Sequence, residues 1–231
     1  MPGPRPYDAV LFDNDGVLTE PTDPARLRRA VKTAFAAVGV TDPAPEHVDT
    51  VRDARTPETV AAVCAEYGVD PVAFWRRHEH EAAATQRVAL DSGEKGLYDD
   101  VVAVRELELP RGVVSNNQHR TVEHILETFA LGDAFDTMYG RFPTPKGMGQ
   151  RKPDPHYLDL ALDDLDAESA LYVGDSEVDL LAAERAGIDA AYVRREHRPA
   201  DYLGATPTYA VDSLLDLHDV VAGAVPPAAV D

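Results

Sequence analysis

Cysteine, lysine and long apolar runs are all scarce in this chain. The single cysteine, Cys64, excludes an internal disulfide. It sits in Val60-Ala61-Ala62-Val63-Cys64, a setting that reads as a buried, inert thiol. No apolar stretch approaches the roughly 18 residues of a membrane-crossing helix, which argues against a membrane partner. The segment Met1-Pro2-Gly3-Pro4-Arg5-Pro6 lacks the apolar core of a signal peptide, so a cytoplasmic location is expected. Lysine occurs 4 times against 18 arginines, and 22 basic residues face 41 acidic ones for a net charge of -19. No basic patch offsets that charge, which disfavours nucleic acid as a partner. Acidic, lysine-poor chains resemble the proteins of salt-in halophiles, where a Debye length of about 3 Å at molar salt makes such self-repulsion tolerable. A dependence on high salt is therefore expected; the alternative is an ordinary acidic cytosolic surface.

What the chain does contain is an alternation of strand and helix with one long helical interruption. Val10-Leu11-Phe12 reads as a buried strand. Residues 21–93 then show helical periodicity, with helices over about 25–38, 57–67 and 71–90 and an inter-helix stretch at 50–56. The Asp-Pro pairs at 23–24 and 70–71 suit an N-cap followed by proline in the first turn. Further helices are expected over 97–107, 119–129, 154–165, 177–186 and 213–221, and strands over 112–114, 137–139, 170–173, 190–193 and 208–211. This pattern predicts an α/β fold, a Rossmann-like parallel sheet with helices on both faces and an inserted all-helical unit. The expected division is a core of 1–20 and 94–221, a helical unit of 21–93 and a loose Ala/Pro-rich tail of 222–231.

Four polar clusters punctuate the sheet: Asp13-Asn14-Asp15-Gly16, Ser115-Asn116-Asn117, Lys152 in Arg151-Lys152-Pro153-Asp154, and Asp175 to Asp179 in Gly174-Asp175-Ser176-Glu177-Val178-Asp179. Among 26 aspartates a lone Asp-x-Asp means little, and Asp164-Leu165-Asp166 reads as a solvated helix end. An EF-hand reading of Asp13–Gly16 fails, since Leu18 and Pro24 stand where the loop needs Gly and Glu. Taken singly, each cluster has a structural reading: Asp175 and Asp179 as helix N-terminal charges, Lys152 as a surface residue, Ser115 as a turn. Their joint placement at strand ends or helix starts points elsewhere, because parallel α/β sheets bind ligands at the C-terminal edge. Clustered carboxylates suit Mg²⁺, and a hydroxyl, backbone amides and an ammonium suit a phosphate. Together they are the parts that phosphoryl transfer needs.

In this order the clusters resemble the four motifs of the haloacid dehalogenase-like (HAD) superfamily, over about residues 7–195. The helical unit resembles the C1 cap of the subfamily that includes phosphoglycolate phosphatase and β-phosphoglucomutase. The resemblance implies Asp13 as a nucleophile forming an aspartyl-phosphate and Asp15 as general acid, then base. Ser115 and the amide or side chain of Asn116 would hold the phosphoryl oxygens, and Lys152 would neutralise charge between nucleophile and phosphate. Asp13, Asp175 and the Asp15 backbone carbonyl would ligate Mg²⁺, with Asp179 acting through water or by positioning its neighbours. Gly16 would permit the turn into the cap linker. Dehalogenases of this family lack the second Asp, so Asp15 favours phosphate esters. The implied enzyme is a Mg²⁺-dependent phosphatase of a small phosphorylated metabolite, as a monomer or small homo-oligomer. The alternatives are a phosphosugar mutase and a non-catalytic binding protein on the same scaffold. Arg52 and Arg55 are candidate cap groups for the substrate or else exposed arginines balancing acidic surface; Gln118 and Arg141 are weaker candidates. His78 and His80 read as surface or cap-interface groups. Lys95, Lys146 and Lys152 fall in loops expected to border the site.

Overall fold

The computed structural model describes residues 7–198 and 204–227. Six strands, β1 (Ala9–Phe12), β2 (Arg111–Gln118), β3 (Thr137–Arg141), β4 (Ala170–Gly174), β5 (Asp189–Val193) and β6 (Tyr209–Val211), form one sheet in the order β3-β2-β1-β4-β5-β6. Every pairing is parallel. The result is the Rossmann-like α/β architecture expected from the strand–helix alternation. Phe12 stands level with Val113 and with Val173. The residues just beyond these three positions therefore emerge at one edge, and the strand order reverses about β1.

Side chains alternate between the two faces of the sheet, as the pleat requires. Val10 and Phe12 join one core cluster with Val113, Val173 and Val193, while Leu11 joins the other with Val114, Tyr172 and Tyr192. Four helices, α1 (Pro24–Ala37), α2 (Pro45–Asp53), α3 (Pro57–Glu66) and α4 (Pro71–Asp91), lie between β1 and β2. The later helices are α5 (Val102–Glu106), α6 (His119–Thr128), α7 (Pro145–Gly149), α8 (His156–Asp164), α9 (Glu177–Ala186) and α10 (Leu217–Val221). α5, α6 and α10 cover the first face, and α8 and α9 cover the second. Helices α1–α4 have a core of their own, built on Val31, Phe35, Val51, Val60, Phe74 and Trp75, to which α7 contributes Met148. Cys64 is fully buried there, and burial pushes its thiol up to about 11. Asp23 and Asp70 cap α1 and α4 with proline in the first turn.

The elements depart from their sequence-based bounds at several points. The stretch 50–56 is not wholly inter-helical, because α2 occupies Pro45–Asp53 with only Val48 and Val51 buried, too short an apolar stripe to show a period. The helix expected over 97–107 begins later, since Leu97 is paired with Thr19 as an isolated bridge. A short 3₁₀ turn, Asp99–Val101, then leads into α5. β2 runs past Val114 to Gln118, with a register irregularity between Ser115 and Gln118. The helix expected from 154 starts at His156, whose N–H donates to the Asp154 carboxylate. The helix expected over 213–221 is a 3₁₀ turn followed by α10. Of the terminal segments, residues 222–227 hold neither helix nor strand, while 1–6 and 228–231 lie outside the described residues.

Candidate active site

The turn after β1 places the first two carboxylates. The Asn14 carbonyl accepts the N–H groups of Val17, Leu18 and Thr19, closing the chain into a tight loop. Gly16 sits in that loop at φ 87°, and a Cβ there would fall on the Asp175 carboxylate. Asp13 itself is held against β4, its N–H donating to the Val173 carbonyl at 2.9 Å. Its carboxylate is buried, accepts the Asn14 N–H at 2.7 Å and lies 2.8 Å from Lys152 Nζ.

Lys152 reaches this point from the loop before α8. Its Nζ lies 2.7 Å from Asp179 Oδ1 and donates to the Tyr172 hydroxyl at 2.6 Å. Burial lowers the Lys152 ammonium's pKa, but Asp13 and Asp179 outweigh it and raise it above its ordinary value. One ammonium thus serves two buried carboxylates. Burial, opposed by Lys152 and reinforced by Asp179 and Asp175, pushes the Asp13 carboxyl up to about 7. Asn116 clamps the Lys152 backbone from both sides, accepting its N–H at 2.8 Å and donating Nδ2 to its carbonyl at 3.2 Å. The Asn116 side chain is therefore engaged with the Lys152 backbone. Ser115 is buried beside it, and its hydroxyl accepts the Asn117 N–H at 3.2 Å.

Asp175 and Asp179 lie just beyond β4. Asp179 closes a capping box with Ser176 at the start of α9 and is fully buried, so it positions Lys152 as well as its own helix. Asp175 Oδ2 is held by His197 Nε2 and by Arg198 Nε, both at 2.8 Å. Burial raises its pKa, but these two partners outweigh burial and hold it below the usual value. One oxygen from each of Asp13, Asp175 and Asp179 lies within 4.8 Å of the others. Three hard oxygen donors, one of them pushed up first by burial and then by its acidic neighbours, form a donor set that fits a divalent cation such as Mg²⁺.

Asp15 is set apart from this group. Its Oδ1 pairs with Lys95 Nζ at 2.5 Å and accepts from Asn14 Nδ2 at 2.6 Å and Thr19 Oγ1 at 3.3 Å. Asp13, Asp15, Ser115 and Asn116 floor a cavity of about 260 Å³. Arg52, Arg141, Arg151 and His78 also line it. Arg141 is buried and bonds Glu79 with two 2.8 Å contacts. Arg151 donates to the Ala54 carbonyl at 3.0 Å, its Nε has no partner, and it has no carboxylate partner among the described residues. Burial, then Arg141 and Arg55, lower Arg151 to about 10. Burial, then the same Arg141 and Arg151, push His78 down to about 4, so its ring is neutral at pH 7.

Of the arginines singled out in the sequence, Arg52 lines the cavity from the last turn of α2 and is paired with Asp49 and Asp53, whereas Arg55 is exposed and is not among the lining residues. Gln118 and Arg141 both line it. Lys95 and Lys152 are buried at the site, while Lys146 is exposed. Sequence reasoning missed the side chains of Arg151, Glu79 and Gln86; Arg151's adjacency to Lys152 was the one available signal.

The profile of the family described as haloacid dehalogenase-like hydrolase matches residues 10–193. The chain is 30% identical over 204 residues to a phosphoglycolate phosphatase of Cereibacter sphaeroides, covering 87% of this chain and 88% of that one. It is 26% identical over 220 residues to a 5'-nucleotidase of Pseudomonas aeruginosa, covering 93% of this chain and 96% of that one. Its fold is similar to that of CbbY from Rhodobacter sphaeroides in complex with phosphate, with a TM-score of 0.66 at 23% identity over 91% of this chain and 96% of that one.

Proposed function

The chain belongs to the haloacid dehalogenase-like hydrolase family, and on that premise we propose that it is a Mg²⁺-dependent phosphomonoesterase acting on a small phosphorylated metabolite through an aspartyl-phosphate. The observation that carries this reading is the buried ammonium of Lys152, shared by Asp13 and Asp179 at the sheet edge where Ser115 and Asp175 also emerge. Asp13 attacks phosphorus with the leaving oxygen opposite it. The Ser115 hydroxyl and the Asn116 amide hold the phosphoryl oxygens, and Lys152 offsets their charge. Asp15 delivers a proton to the departing oxygen, then takes one from the water that opens the acyl phosphate. Asp13, Asp175 and the Asp15 carbonyl are the groups that would hold Mg²⁺, with Asp179 in support. Bound there, the ion supplies positive charge to the transferring phosphoryl group.

In this reading residues 21–93 form a C1-type cap over a core of 1–20 and 94–221, and the cap excludes water during transfer. The names of the phosphatase relatives make phosphoglycolate the first substrate to test. The Arg151 guanidinium, lacking a carboxylate partner among the described residues, supports a substrate whose far end is anionic. The acidic, lysine-poor composition supports a protein adapted to the cytoplasm of a salt-in halophile.

A phosphate-release screen over phosphorylated metabolites, with Mg²⁺ at low and high KCl, tests the reading. Free phosphate is expected from at least one small monoester, and Asp13→Asn is expected to abolish release while the fold is retained. Retained release in that variant sinks the nucleophile assignment. Formation of a 6-phosphate from a hexose 1-phosphate with a trace of bisphosphate, without free phosphate, decides for the mutase instead.

A further inference from the structure

Lys95 is one of only 4 lysines and is 1% exposed, although it lies after α4 in a connecting segment. An ammonium is costly to bury without a partner. Its one carboxylate partner among the described residues is Asp15, at 2.5 Å. Its Nζ also donates to Thr22 Oγ1, at 3.3 Å. From there a chain of contacts continues. The Thr22 hydroxyl donates to Gln86 Oε1 at 3.3 Å, and Gln86 Nε2 donates to Asn117 Oδ1 at 3.0 Å. The direction is set by chemistry: an ammonium has donors only, so Thr22 accepts from Lys95 and donates onward, which turns the Gln86 amide nitrogen toward Asn117.

The members of this chain come from separate parts of the fold. Thr22 lies in the segment entering α1, Lys95 in the segment leaving α4, Gln86 on α4 and Asn117 two residues beyond Ser115. The two connecting segments are themselves joined, with Glu20 N–H donating to the Gly96 carbonyl and Tyr98 N–H to that of Leu18. Both connecting segments therefore meet at one ammonium that holds Asp15, and the contacts through Thr22 and Gln86 link it to α4 and to Asn117.

We propose that Lys95 is a positioning residue for Asp15, and that the Lys95–Thr22–Gln86–Asn117 chain makes the placement of the Asp15 carboxylate depend on α4 being seated over the Ser115–Asn117 segment. This rests on the phosphomonoesterase reading of the site.

The test compares Lys95→Met with the unaltered chain on an alkyl phosphate, whose leaving oxygen needs a proton, and on p-nitrophenyl phosphate, whose leaving group does not. The variant is expected to lose about 10²-fold in kcat/KM on the alkyl ester but less than about 5-fold on the aryl ester, because kcat/KM reports departure of the leaving group and not the later hydrolysis that Asp15 serves for both esters. Equal losses on the two esters, or no loss, overturn the proposal, since a merely structural role does not distinguish leaving groups. If circular dichroism shows Lys95→Met unfolded, Thr22→Val removes the same relay while keeping the shape of the side chain. A smaller loss confined to the alkyl ester supports the proposal, and a loss shared by both esters overturns it. Turnover by the unaltered chain separates the two readings. No turnover of any ester defeats the phosphatase reading and the proposal together. Normal turnover without leaving-group dependence in the variants defeats the proposal alone.

Discussion

Asp13 shows how burial sets the chemistry of a single residue. Its carboxyl is pushed up to about 7 from an ordinary 3.8, first by desolvation. A group raised on folding contributes stability that is fully present below the ordinary value and is lost as pH rises through the folded one. In metal-free protein the ionised Asp13 therefore weighs against the fold above about pH 7, even with Lys152 beside it. Asp13→Asn removes that burden. In EDTA at pH 8 the variant is expected to melt higher than the unaltered protein by about 2–4 °C, on the order of 1 kcal/mol, with the difference vanishing near pH 4. Added Mg²⁺ is expected to raise the melting temperature of the unaltered protein more at pH 8 than at pH 5 and to do little for the variant. Thermal melts across pH decide the matter, and a variant less stable at pH 8 contradicts the assignment. Asp13, Asp15, Ser115 and Asp175 were legible as candidates because each comes at the end of an apolar run. The use of the Asn116 side chain as a clamp on Lys152 was not, since it joins residues 36 apart in the chain.

At the scale of elements, α4 is seated on the sheet by a buried charge pair. Glu79, on the buried face of this helix, pairs twice with Arg141 at the end of β3, and its carbonyl accepts from Gln118 at the end of β2. Removing one member of a buried pair leaves the other charge uncompensated, at a cost of about 3–5 kcal/mol. Glu79→Ala is accordingly expected to lower the urea midpoint by that stability with little change in m, and to weaken the alkyl ester reaction by loosening α4 over the site. A stability change below about 1 kcal/mol would show that the pair is not what seats the helix. The capped helices were readable from Asp-Pro pairs, whereas α2 was not, because two buried valines do not establish a period. That element decides between the two arginines proposed from sequence: Arg52 lies within its last turn and faces the cavity, and Arg55 lies beyond it and faces solvent.

For the whole molecule, the net charge of -19 is the dominant long-range term. Self-repulsion between exposed carboxylates is screened over about 10 Å at 0.1 M salt and about 3 Å at 1 M. The melting temperature is expected to climb by several degrees from 0.1 to 2 M KCl, with turnover rising in parallel. A flat response would assign the acidic composition to ordinary solubility. Arg151, which lines the cavity and has no carboxylate partner among the described residues, favours an anionic substrate there despite that overall charge.

The sequence alone determined the strand–helix alternation, the parallel sheet and the order of the four clusters. These are written in local periodicity and in the polar residues that terminate each apolar run. The tertiary structure decided which carboxylates share Lys152, which arginine faces the cavity and where Lys95 points. Those outcomes depend on side chains far apart in the chain meeting in a low-dielectric space. There, burial changes the cost of every charge, and no local pattern of residues records which partner will be near.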